Sequence, residues 1–125
     1  MLVGAMNTQR EAIVRLVVVG PGGQAREIEA VLDTGYTGSL TLPSAVVSDL
    51  HLPFRGRGSA LLVDGGESEF DIHEATLVWA GERRLAAIDV AETEPLLGMG
   101  LLLGNELTVQ VIAGGAVALQ KLRLA

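Results

Sequence analysis

The stretch Ala30-Val31-Leu32-Asp33-Thr34-Gly35-Tyr36-Thr37-Gly38 carries the decisive pattern, in which apolar, strand-favouring residues deliver an acid into a turn. Thr34 can hydrogen-bond locally there, and Gly35 lets another group approach the backbone closely. The plain alternative is an aspartate that simply ends a strand, because Asp, Thr and Gly are all turn formers. The surroundings add the weight that three common residues lack. An apolar Leu40-Thr41-Leu42, a glycine-tipped Asp64-Gly65-Gly66 and an apolar-apolar-glycine Leu96-Leu97-Gly98 follow in one order.

Working outward, the periodicity predicts a mainly β chain. Ile13–Val19 and Ala25–Leu32 are joined by Gly20-Pro21-Gly22-Gly23-Gln24, whose glycines and proline favour a turn, so they read as a hairpin. That loop also matches G-x-G-x-x-A and precedes an acid, as in a dinucleotide fold. The eight steps from Ala25 to Asp33 cannot hold the helix and second strand such a fold requires, so the match is rejected. Pro43–Leu50 reads as a short helix or irregular turn. Ser59–Val63 and Glu67–His73 flank Asp64-Gly65-Gly66 as another hairpin, and Ala75–Trp79 pairs with Arg83–Val90. Pro95–Gly104 contains one short helix, Leu107 to Val111 alternates as a strand, and Gly114-Gly115 turns the chain into Ala116–Leu122. Phe70 and Trp79 could serve as substrate-site aromatics, but both lie in alternating segments and read rather as strand-face or core packing.

Composition narrows the function classes. The 125 residues suit one domain, divided here into an extension over 1–12 and a domain over 13–122. Nine Lys and Arg against 15 Asp and Glu leave a net charge of −6, and the basic residues do not cluster, so a phosphate-tracking surface for nucleic acid is not expected. With no cysteine, a disulfide framework, thiol catalysis and cysteine-ligated metals are excluded. His51 and His73 fit no zinc spacing, and no metal or other cofactor is expected. Sixteen glycines, against a usual share of about 7%, imply many tight turns. The first eleven residues lack the features of a signal peptide, Met6 is an alternative start, and no run is long enough to span a bilayer, so a cytoplasmic location away from membranes is expected.

On these residues the chain resembles the retropepsin-like aspartic proteases, and the small prokaryotic single-domain group in particular, over about Ile13 to Leu119. Val31-Leu32-Asp33-Thr34-Gly35 fits the family's active-site motif, Val63-Asp64-Gly65-Gly66-Glu67 its glycine-tipped flap, and Leu96-Leu97-Gly98-Met99-Gly100-Leu101-Leu102 its second apolar-glycine signature. The resemblance implies a closed-barrel half-domain with one short helix near the C-terminus. It also implies an endopeptidase in which Asp33 is catalytic and Thr34 and Gly35 support it. Tyr36, Val63, Asp64, Gly65 and Gly66 would then touch substrate.

Aspartic protease chemistry uses two carboxylates sharing one proton. This chain has a single Asp-Thr-Gly, since Asp64-Gly65 and Asp89-Val90 are followed by the wrong residues. Under the resemblance the second acid is therefore Asp33 of another copy, in a homodimer acting on a peptide or protein substrate. Three positions depart from the viral pattern. Tyr36 replaces a small residue and would line or narrow the substrate groove, and Met99-Gly100 replaces a polar pair. Ala116–Leu122 reads either as the counterpart of the interleaving terminal strands or as a plain edge strand. Two further readings stay open: a dimeric retropepsin-like module that binds peptides without cleaving them, and a structural β-domain in which Asp33 caps a turn.

Overall fold

The computed structural model describes residues 2–123. The chain opens with β1 (Leu2–Met6), β2 (Ala12–Val19) and β3 (Ala25–Leu32), followed by a short β4 (Leu40–Leu42) and helix α1 (Ser44–Asp49). Next come β5 (Phe54–Leu61), the long β6 (Glu67–Trp79) and β7 (Glu82–Val90). The end of the chain supplies β8 (Leu96–Leu97), helix α2 (Met99–Leu102), β9 (Asn105–Val109) and β10 (Ala116–Lys121). Mainly β architecture follows from the sequence pattern: in β2, Val14, Leu16 and Val18 point into the core while Arg15 points out.

The strands form one hydrogen-bonded sheet in the order β5-β6-β7-β4-β8-β3-β2-β1-β10-β9, and β6 pairs in addition with β2. That extra pairing closes β2, β3, β8, β4, β7 and β6 into a ring. Leu40, Leu42, Leu77, Ile88, Leu97 and Leu101 are fully buried with Val14 and Val18. Burying a side chain of this size contributes roughly 1.5–3 kcal/mol.

Four sequence expectations are refined. Glu67–His73 and Ala75–Trp79 are one strand, because β6 pairs with β5 up to His73, with β7 from Ile72 to Trp79 and with β2 from Thr76, so no break separates the two halves. The helix expected within Pro95–Gly104 shrinks to four residues, since Leu96 and Leu97 are drawn between β3 and β4 as β8. Residues 2–6, set apart as part of an extension, form β1 and pair with both β2 and β10. Ala116–Leu122 offers no free edge: β10 is flanked by β1 and β9 of the same chain, so neither the edge-strand reading nor an interleaving one fits it. The outer strand at that end is β9.

Candidate functional site

Asp33 stands where β3 leaves the ring. Its backbone N–H donates to the Leu97 carbonyl at 2.9 Å, extending the parallel β3–β8 pairing by one residue. Its Oδ1 accepts the Gly35 N–H at 2.9 Å and its carbonyl accepts the Tyr36 N–H at 3.2 Å, an aspartate-stabilised turn. Oδ2 has no partner among the described residues, and the side chain is half-exposed at the rim. Thr34 and Gly35 follow on the exposed surface.

The loop from Asp33 to Ser39 is clamped by the segment after β8. Gly98 N–H donates to the Ser39 carbonyl at 3.0 Å, Met99 N–H to Tyr36 at 2.8 Å and Gly100 N–H to Gly38 at 3.0 Å. Contact this close needs glycine: a Cβ on Gly98 would lie 2.3 Å from the Gly38 carbonyl oxygen and 2.5 Å from the Tyr36 ring. At Met99-Gly100, where the sequence departs from the viral polar pair, the segment holds the loop through backbone hydrogen bonds. Thr41 is the one buried polar side chain among the described residues, and its hydroxyl accepts the Leu96 N–H at 2.8 Å.

Tyr36 does more than line a groove. Its ring packs beside Gly38 and Gly98, and its hydroxyl donates a 2.5 Å hydrogen bond to Oδ2 of Asp89 on β7. Burial, and then the acceptor and negative charge of Asp89, push the phenol well above its ordinary pKa. The pair forms part of the wall of a groove of about 710 Å³ that starts at Gly35. Across from it the shafts of the β5–β6 hairpin present Ser59, Ala60, Ser68, Glu69 and Phe70, and β7 with its following loop adds Val90, Ala91 and Glu92.

The structure therefore brings Gly35 and Tyr36 into the groove and sets Asp33 beside it. Val63, Asp64, Gly65 and Gly66 do not line it; they form the exposed hairpin tip. There Leu62 N–H donates to Gly66 O at 2.7 Å, Gly65 takes φ +87°, and Asp64 Oδ1 accepts the Gly66 N–H at 2.9 Å. Leu61, Leu62 and Val63 make that tip an exposed apolar patch.

Sequence reasoning missed Asp89 and Glu92, and for Phe70 it preferred packing over the substrate-site alternative. Phe70 faces the groove, whereas Trp79 is buried as expected. The available signal for Asp89 was an acid amid the apolar residues of Ala86-Ala87-Ile88-Asp89-Val90. His73 Nδ1 sits 2.8 Å from the Leu52 carbonyl, and among the described residues no group of His, Asp and Glu could hold a metal. No helix among them is long and apolar enough to cross a membrane.

A six-strand ring, a strand threaded between the two that flank an Asp-Thr-Gly turn, and a projecting hairpin together define a retropepsin-like fold. Solved structures agree. EIAV protease, in complex with the inhibitor HBY-793, superposes with a TM-score of 0.59 at 20% identity, covering 77% of this chain and 88% of that one. A retropepsin-like aspartic protease from Rickettsia conorii gives 0.59 at 14% identity, over 98% and 91%. Simian Foamy Virus (mac) protease gives 0.50 at 20% identity, over 69% and 86%. No family model and no curated protein sequence matches the chain.

Proposed function

We propose that this chain is one subunit of a homodimeric aspartic endopeptidase whose water-activating dyad is Asp33 and the equivalent residue of a second copy. One observation carries the reading. On a fold shared with three solved proteases, the single Asp-Thr-Gly sits at the rim, its Oδ1 held by Gly35 and its loop clamped from behind by Gly98, Met99 and Gly100.

In this mechanism the ionised Asp33 takes a proton from a water molecule, which attacks the scissile carbonyl. The protonated partner hydrogen-bonds the carbonyl oxygen, and the tetrahedral species collapses as the leaving amine receives a proton. No covalent intermediate forms. Thr34, exposed beside the acid, braces the second subunit. Gly35 admits water and substrate to the carboxylate, and Tyr36 forms part of the substrate groove. The tip residues Val63, Asp64, Gly65 and Gly66 act as a flap, the exposed Val63 with its neighbours Leu61 and Leu62 and the left-handed Gly65 being suited to closing over a peptide. The peptide backbone pairs with strand edges as it binds.

The test is to incubate the protein with a diverse peptide mixture from acid to neutral pH, with and without Asp33→Asn. Cleavage by the parent and none by the variant is the expected result. Cleavage that survives the substitution overturns the assignment.

A further inference from the structure

The groove beside the Asp33 loop contains two carboxylates, Asp89 and Glu92, that form no ion pair among the described residues; Glu92 is exposed to solvent, and Asp89 is the half-buried one. Three acids line it. Glu69 pairs with Arg57 at 3.5 Å across the β5–β6 hairpin. Glu92 directs Oε1 to the Ser44 N–H at 2.7 Å. Asp89 has only the Tyr36 hydroxyl, a neutral donor, on Oδ2, and no Lys, Arg or His of the described residues forms an ion pair with it. A carboxylate offers about four acceptor sites, so one hydroxyl leaves most of them unfilled. Asp89 is half-buried, yet neither of its oxygens is both sealed from solvent and unpartnered. Oδ1, with no donor among the described residues, is therefore reached by solvent.

The chemistry around this oxygen is selective. Ala60, Phe70, Val90 and Ala91 supply apolar surface. Tyr36 stays protonated and donates, which fixes the carboxylate's orientation. An apolar-walled groove with one half-buried, oriented and uncompensated anion suits a side chain with a hydrocarbon stem and a cationic head. The net charge of −6 adds long-range attraction for such a ligand.

We infer that Asp89 is the specificity-determining residue of this groove and selects a lysine or arginine side chain of the bound peptide, with Tyr36 as the residue that positions it. The inference rests on the groove being the peptide site of the proposed protease, and its test separates recognition from cleavage. The probe is a set of fluorescently labelled peptides, identical except for norleucine, lysine, arginine or glutamate scanned through successive positions. Binding is measured by anisotropy to the Asp33→Asn protein, which is not expected to cleave them.

At one register, lysine or arginine is expected to lower Kd about tenfold relative to norleucine, and glutamate to raise it, as a partly desolvated charge pair requires. Adding Asp89→Asn collapses the ratio towards one. Adding Tyr36→Phe instead keeps the carboxylate but loses its positioning donor, so the preference weakens without being abolished, and circular dichroism of both variants checks that neither has merely misfolded. No basic preference at any register, a preference that persists with Asp89→Asn, or no binding of any peptide at millimolar concentration overturns the inference. Selective binding with no cleavage by the parent protein supports the inference and overturns only the catalytic reading.

Discussion

The Tyr36 hydroxyl and Asp89 Oδ2 lie 2.5 Å apart although 53 residues separate them, and their hydrogen bond ties the loop of the candidate catalytic acid to β7. Removing the hydroxyl as Tyr36→Phe leaves a half-buried carboxylate without its only donor among the described residues. The expected loss is about 1.5 kcal/mol, the low end for a hydrogen bond to a charged group, read as a fall in the urea midpoint at neutral pH.

Because Tyr36 is the single tyrosine, alkaline titration followed at the tyrosinate absorption band reports on it alone. Its pKa is raised above the ordinary 10.0, so the folded protein holds this proton more tightly than the unfolded chain. The associated stability is fully present below that ordinary value and declines as pH climbs beyond it. The folded protein should show no tyrosinate where a free tyrosine is half-ionised. Its urea midpoint should fall through the alkaline range, and Tyr36→Phe should flatten that fall. An ordinary titration curve in the folded state would contradict the buried pair.

Thr41→Val is nearly isosteric but removes the hydroxyl that accepts the Leu96 N–H at 2.8 Å. Leaving that N–H without its acceptor is expected to cost about 1–3 kcal/mol, measured by equilibrium unfolding. Hydrogen exchange at Leu96 should accelerate by more than the global loss accounts for, because β8 is the strand released.

Gly98→Ala and Gly65→Ala test two different needs for glycine. At Gly98 the new methyl meets the Gly38 carbonyl oxygen at 2.3 Å, so the clamp on the Asp33 loop must open; a loss of about 3 kcal/mol or failure to fold is expected. At Gly65 there is open space but φ is +87°, so only backbone strain of about 1 kcal/mol is incurred. Thermal denaturation of both variants ranks them, and a reversed order would contradict the clamp.

Helix α1 has Pro43 at its N-cap with no side-chain cap, and Glu92 reaches in from the loop after β7 to accept the Ser44 N–H. That backbone hydrogen bond is the main reason the Glu92 carboxyl is held below its ordinary pKa. With a lowered folded pKa, its contribution is present above the ordinary carboxylate range and disappears as pH falls through the folded value. Glu92→Ala should accordingly lower the melting temperature at neutral pH and converge with the parent in acid.

The proposed sharing of the active site between two copies predicts that specific activity rises with protein concentration until dimerisation saturates. Progress curves over a dilution series check this, and activity that does not change on dilution below the dimer dissociation constant would remove the second subunit from the mechanism.

Local sequence determined the β character, both β2–β3 strands, the position of α1 and the turn that holds Asp33, because alternation, β-branching and turn chemistry act over a few residues. It could not show that Leu96 and Leu97 would leave a helical-looking run to become β8. That choice depends on a slot between β3 and β4 which exists only once the ring has closed. Nor could it show that Asp89 meets Tyr36, that Glu92 caps α1, or that β10 is enclosed on both sides by its own chain. Those pairings join residues far apart along the chain, and only the closed register of the strands brings them within hydrogen-bonding reach.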